Sequence, residues 1–69
     1  DPKKAVESLD KAIELDPKLA VAHANLALAY AELGRFDDAD AALERAVEKG
    51  YKNDARMREL IEGARAKKK

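Results

Sequence analysis

Apolar residues recur along the chain at three- and four-residue spacing, which places them on one face of an α-helix. In the first segment the repeating positions are Ala5, Val6, Leu9, Ala12 and Ile13. Three later segments with the same periodicity cover roughly 18–33, 36–49 and 54–69. The pattern therefore predicts four helices, the last of which we expect to fray from Arg65 onward.

Proline and glycine mark the expected helix boundaries. Asp1-Pro2 offers an N-cap followed by proline at the first helical position. Asp16-Pro17 ends the first helix, because the residue before proline is pushed out of the α region, and we expect this pair to cap the second helix. Gly34 and Gly50 can end the second and third helices in the left-handed conformation. Short turns between four helices predict antiparallel neighbours, so the predicted fold class is all-α.

The first and third helices are related by an internal repeat. A shift of 34 residues pairs identical alanines or leucines at three positions and similar aliphatic residues at a fourth, and it also pairs Glu14 with Glu48. The pairs are Ala5/Ala39, Leu9/Leu43, Ala12/Ala46 and Ile13/Val47. Such a period indicates a chain built from stacked helical hairpins.

These residues resemble the tetratricopeptide repeat, a 34-residue helix-turn-helix unit. The complete unit would be 20–53, preceded by the second helix of a truncated repeat at 1–19 and followed by a capping helix and basic tail at 54–69. Its signature positions would hold Leu26, Ala27, Tyr30, Gly34, Phe36, Ala39, Leu43 and Ala46, with Ala5, Leu9, Ala12 and Pro17 matching the preceding half. His23, Ala27 and Tyr51 depart from the residues most usual at their places. The resemblance implies a fragment of an α-solenoid.

Composition limits what such a chain can be. Of the 69 residues 32 are hydrophobic, but 15 of these are alanine, so only 17 larger apolar side chains remain for the core. That length allows one domain, 1–69, near the lower limit of independent stability. With no cysteine, the chain has neither disulfides nor thiolate metal sites. No apolar run approaches the length of a membrane span, and no membrane partner is expected.

The residues give little support to catalysis. His23 is the only histidine and Ser8 the only serine, and they form no recognisable triad. We expect His23 to pack in the interior. The acidic stretch of Asp37, Asp38 and Asp40 lies where a helix begins, so its carboxylates are expected to favour the helix dipole and to cap free amides. We therefore predict a protein that is not an enzyme and holds no cofactor or metal.

The C-terminal basic residues are the remaining charged feature. Residues 1–64 hold ten basic and fourteen acidic groups, and Arg65, Lys67, Lys68 and Lys69 bring the net charge to zero. Four cations without interleaved aromatic residues are a weak signal for nucleic acid. We interpret them as a solvated helix end that complements the negative helix terminus, with no nucleic-acid partner.

The resemblance also implies a binding surface, because members of the family bind ligands on the concave face formed by the first helices of their repeats. Carried over residue by residue, that face consists of Val21, Ala24, Asn25, Leu28 and Glu32. An asparagine amide at position 25 offers a donor and an acceptor to a peptide backbone. The clamp for chaperone C-terminal carboxylates is not expected, since Ala55 and Glu59 stand where it needs cations. We predict a protein-protein interaction scaffold that binds a peptide or helix.

An alternative comes from the incomplete repeats. If α-helical neighbours are absent, parts of Val6, Leu9, Ile13 and Leu28 stay uncovered, and uncovered apolar stripes favour association. The alternative is a self-associating or designed repeat module whose apolar helix faces form a homo-oligomer interface. The residue at position 1 is Asp1, which leads us to expect a piece of a longer protein. The lack of cysteine fits the cytoplasm and is compatible with the periplasm.

Overall fold

The structure is a computed structural model that describes residues 1–67. Within that range the chain forms four helices and no strands: α1 (Pro2–Leu15), α2 (Ala20–Glu32), α3 (Phe36–Glu48) and α4 (Asp54–Lys67). The helices pack antiparallel, as the sequence predicts. Lys68 and Lys69, two of the basic residues considered above, lie outside the described residues.

Three of the expected helix boundaries are confirmed by local geometry. The Asp1 carboxylate accepts a hydrogen bond from the Lys3 amide at 3.0 Å, which satisfies one of the free donors at the start of α1. Gly34 and Gly50 have φ angles of 80° and 100°, a conformation in which a side chain would be strained. Each glycine thus reverses the chain immediately after a helix.

The start of α2 differs from the expectation. Its N-cap is Leu19, which makes no side-chain cap hydrogen bond. Asp16 instead caps α1, and its Oδ1 accepts from the Lys18 amide at 3.1 Å. The carboxylate is used inside the turn after α1, so the prediction that Asp16-Pro17 caps the second helix is wrong.

Helix α2 is the centre of the fold, because it packs against α1, α3 and α4. Seven of its residues are buried, and four of the most completely covered positions in α2 and α3 are alanines: Ala24, Ala27, Ala39 and Ala46. Small side chains let helix axes approach closely and interdigitate. Alanine is therefore a core residue here, and Leu43 and Ile61 supply the largest fully buried side chains.

Helix α1 is the least covered element. Among residues 1–67 it packs only against α2 and has no buried residue. Positions of α1 and α3 that are 34 residues apart differ in burial. Ala39, Ala42 and Ala46 of α3 are buried, whereas their equivalents in α1, Ala5, Ser8 and Ala12, are not. The face that α2 covers on α3 is thus left partly open on α1.

The last helix is longer and better anchored than expected. Arg65 remains helical, and its Nη2 lies 3.1 Å from Oδ2 of Asp40. Its guanidinium carbon also lies 5.1 Å from the centroid of the Phe36 ring, within cation-π range. The prediction that the chain frays from Arg65 is therefore wrong, since this residue joins α4 to α3.

Candidate functional site

Four of the five residues predicted for the ligand face share one surface of α2. Val21, Asn25, Leu28 and Glu32 follow one another at spacings of four, three and four, which align side chains along a helix. Val21 is 60% exposed, Asn25 and Glu32 are exposed, and Leu28 is half-buried. The structure thus brings together an amide, a carboxylate and two branched aliphatic side chains.

Ala24 does not join this surface. It is 0% exposed and belongs to the core cluster, so no ligand can contact its side chain. It lies on the flank of α2 that the neighbouring helices cover. Ala24 packs in the core beneath the surface, so the candidate contact residues are the other four.

Helix α4 adds a second wall to the site. It packs beside α2, and the two helices enclose an open groove of about 430 Å³. The lining residues are Leu28 and Glu32 from α2, and Glu59, Leu60, Gly63, Ala64 and Lys67 from α4. We call this the α2–α4 groove. Its apolar part comes from leucine and alanine, and its charged groups are two carboxylates and one ammonium.

The two carboxylates of the groove have few ion-pair partners among residues 1–67. Glu32 forms no ion pair with any of residues 1–67. Glu59 approaches Arg56 at 3.7 Å, but both side chains are about three-quarters exposed, at 73% and 74%. An exposed pair at such a distance contributes little to stability. Among residues 1–67, Glu32 thus has no competing ion pair, and Glu59 has only a weak, exposed one.

The other candidate residues have structural explanations. His23 is only 5% exposed, which confirms that it packs, and its Nε2–H donates to the Pro17 carbonyl oxygen at 3.1 Å. Asp38 pairs with Arg35 at 2.8 Å, and Asp40 with Arg65. Contrary to the expected capping, no side chain caps α3, whose N-cap is Arg35. In the part of the chain that the structure describes, no group of three acidic or histidine residues is arranged to hold a metal ion.

Sequence reasoning missed the α4 side of the groove. Leu60 and Ala64 lie in the periodic apolar segment 54–69, where periodicity predicts a core-facing stripe, yet Leu60 is 39% exposed on the groove wall. A sequence signal that could have pointed there is Gly63, a residue that is unfavourable inside a helix. Periodicity alone could not say which part of the α4 stripe meets the core and which part faces the groove.

The hairpin geometry agrees with the comparison of the sequence with known families. The sequence model of the tetratricopeptide repeat matches residues 1–63, which is most of the chain. The chain belongs to the tetratricopeptide repeat family. Tetratricopeptide repeats are generally protein-protein interaction modules and are typically non-catalytic. No curated protein and no solved structure matches the chain in the corresponding searches.

This tetratricopeptide repeat chain also lacks a helix suited to a lipid bilayer within its described part. Among residues 1–67 the helices are 13 or 14 residues long, and none is both long enough and apolar enough to cross a membrane.

Proposed function

We propose that this chain is a non-catalytic scaffold that binds a peptide or helix of a partner protein on the α2 surface of Val21, Asn25, Leu28 and Glu32. The observation that carries the proposal is the open surface beside the α2–α4 groove, where Leu28 is shared by both. Leu28 provides apolar contact area, and the Asn25 amide can hydrogen-bond to a peptide backbone in two directions. Polar groups on a rigid helix fix the orientation of a ligand, while the aliphatic side chains supply most of the contact.

The repeat organisation is part of the same proposal. We interpret 1–19 as a second helix, 20–53 as a complete repeat and 54–69 as a cap with a basic tail, all in one domain. The exposure of α4 supports the cap interpretation, because Arg56 is exposed where its 34-residue equivalent Ala22 is buried. A terminal repeat unit needs such a polar outer face.

Selection from a displayed random-peptide library tests the proposed surface. Peptides selected on the unaltered chain should lose most of their affinity for an Asn25→Ala, Leu28→Ala double variant. They should retain it for the matched control Lys11→Ala, Glu14→Ala, whose two sites are exposed on α1. Circular dichroism checks that helicity is kept in both. Selected peptides that bind the double variant unchanged would place the ligand elsewhere.

A second candidate function, self-association, is favoured by the uncovered face of α1. Ala5, Ser8 and Ala12 keep part of their surface open, while the equivalent face of α3 is buried by a helix. Covering that face with a helix of another copy would bury small apolar surface in the same way. Sedimentation equilibrium decides the matter: a mass that rises with concentration supports this candidate, and a constant monomer mass rejects it.

A further inference from the structure

The α2–α4 groove has the shape and the charge to select among partner helices. Its apolar floor is formed by Leu28, Leu60 and Ala64, and Leu60 retains 39% of its surface. The groove residues of α4 follow one another at spacings of one, three, one and three from Glu59 to Lys67, so the floor runs along about two turns of helix. A floor of this length matches the anchor spacing by which amphipathic helices dock in grooves.

Gly63 is the second observation that points to an external helix. Glycine inside a helix is unfavourable relative to alanine, and a glycine is often kept where another backbone approaches closely. Within the chain no such approach exists, because a Cβ at this position would meet no atom within 4 Å. Gly63 lies on the groove wall beside Ala64. Because Gly63 lines the groove and carries no side chain, it leaves room on that wall for the backbone of a bound segment.

The charges define the chemistry of the partner. Glu32 and Glu59 are exposed along the groove, and Lys67 is its one cation among the lining residues. A carboxylate facing a cation across an interface favours binding, and a like charge opposes it. Two exposed carboxylates against one ammonium leave the lining net negative, which favours lysine or arginine beside the apolar anchors of a partner.

We propose that the α2–α4 groove binds an amphipathic helix with leucine-sized anchors flanked by lysine or arginine, and that it discriminates against acidic helices. This rests on the proposed function above and names the partner class for the same site. Leu28, Leu60 and Ala64 contact the anchors, Gly63 lets the helix backbone approach, and Glu32 and Glu59 receive the cations.

Two labelled synthetic peptides test the proposal by fluorescence anisotropy. They share one leucine face and differ only in their flanks, which are lysine in one and glutamate in the other. Two exposed charge pairs correspond to a preference of about three- to tenfold for the lysine peptide, which added salt should reduce. A Glu32→Gln, Glu59→Gln variant should remove most of that preference. The matched control Glu14→Gln, Glu48→Gln removes the same charge at exposed sites outside the groove and should leave the preference unchanged.

A Gly63→Ala variant should lower the affinity for the peptide and raise the thermal stability of the free chain. The added methyl group should weaken binding of the lysine peptide roughly fivefold or more by crowding the docked backbone. The same substitution should raise the thermal midpoint of the free chain, because alanine favours the helix and meets no atom there. A higher midpoint with unchanged affinity would overturn the role assigned to Gly63.

The outcomes separate this inference from the proposed function. If both peptides bind equally and the Asn25→Ala, Leu28→Ala variant abolishes binding, the partner chemistry is wrong and the proposed surface stands. Tighter binding of the glutamate peptide overturns the charge argument in the same way. If neither peptide binds while library-selected peptides still require Asn25 and Leu28, the inference about the partner is wrong and the proposed surface stands; if the selected peptides do not require them either, both are wrong. A lysine preference that the Glu32→Gln, Glu59→Gln variant removes supports both.

Discussion

Replacing Ala46 by leucine is expected to destabilise the fold even though it adds apolar surface. Ala46 is 0% exposed and lies in one cluster with Ala39 and Leu43. Three more carbon atoms would contribute up to about 2.4 kcal/mol, at about 0.8 kcal/mol per buried methylene group, if the site had room for them. In a closely packed core they instead displace neighbouring side chains and backbone, at a net cost of about 1–3 kcal/mol. The cost of overpacking exceeds the hydrophobic gain because the site is already completely covered.

The expected loss is large for a chain of this size. Each kcal/mol corresponds to about 4–8 °C in the thermal midpoint of a small domain, so Ala46→Leu should lower the midpoint by roughly 5–20 °C. The assay is thermal unfolding followed by far-ultraviolet circular dichroism. Ala41→Leu is the matched control, because Ala41 lies on the same helix and is exposed. Its expected effect is within about 0.5 kcal/mol. Equal midpoints for the two variants would refute the idea that α2 and α3 require small residues where they meet.

Three further substitutions test other parts of the fold, each by thermal or urea unfolding. Asp1→Ala removes the side chain that caps α1 and should cost about 0.5–2 kcal/mol, whereas an unchanged midpoint would mean that this cap is idle in solution. Arg65→Ala and Asp40→Ala should be coupled in a double-mutant cycle by about 0.2–1 kcal/mol, because the pair is partly exposed; strict additivity would contradict the contact between α3 and α4. Gly34→Ala should destabilise by about 1 kcal/mol or more, since its φ of 80° strains an L-residue, and a neutral result would contradict the left-handed turn.

Much of the fold follows from local features that can be recognised directly in the sequence. The 3.6-residue periodicity and the two glycines locate the four helices, because amphipathic stripes and left-handed turns depend on few neighbours. The cap of α2 could not be predicted in this way. Asp16 has one carboxylate and two adjacent sets of free amides, and the conformation of the turn decides that it serves the turn after α1.

The candidate site could be predicted only in part, for a different reason. Val21, Asn25 and Glu32 lie on the exposed side of α2 as expected, but Ala24 is buried. A helix face is a continuous arc, and its exposed width depends on how closely the neighbouring helices pack. The groove wall on α4 depends in the same way on the rotation of that helix about its axis, which its weak amphipathic pattern does not determine. Periodicity therefore predicts the exposed residues in the middle of the helix face, while tertiary packing determines whether the residues at its margins are exposed.

The central claim is that the surface shared by α2 and the α2–α4 groove binds a helix of a partner protein. Its most direct test is a titration of the isotopically labelled chain with the lysine-flanked leucine peptide, followed through backbone amide chemical shifts. We expect the largest shift changes on Asn25, Leu28 and Glu32 of α2 and on Leu60 and Gly63 of α4. Changes concentrated on α1 and the outer face of α3, with these five residues unaffected, would contradict it.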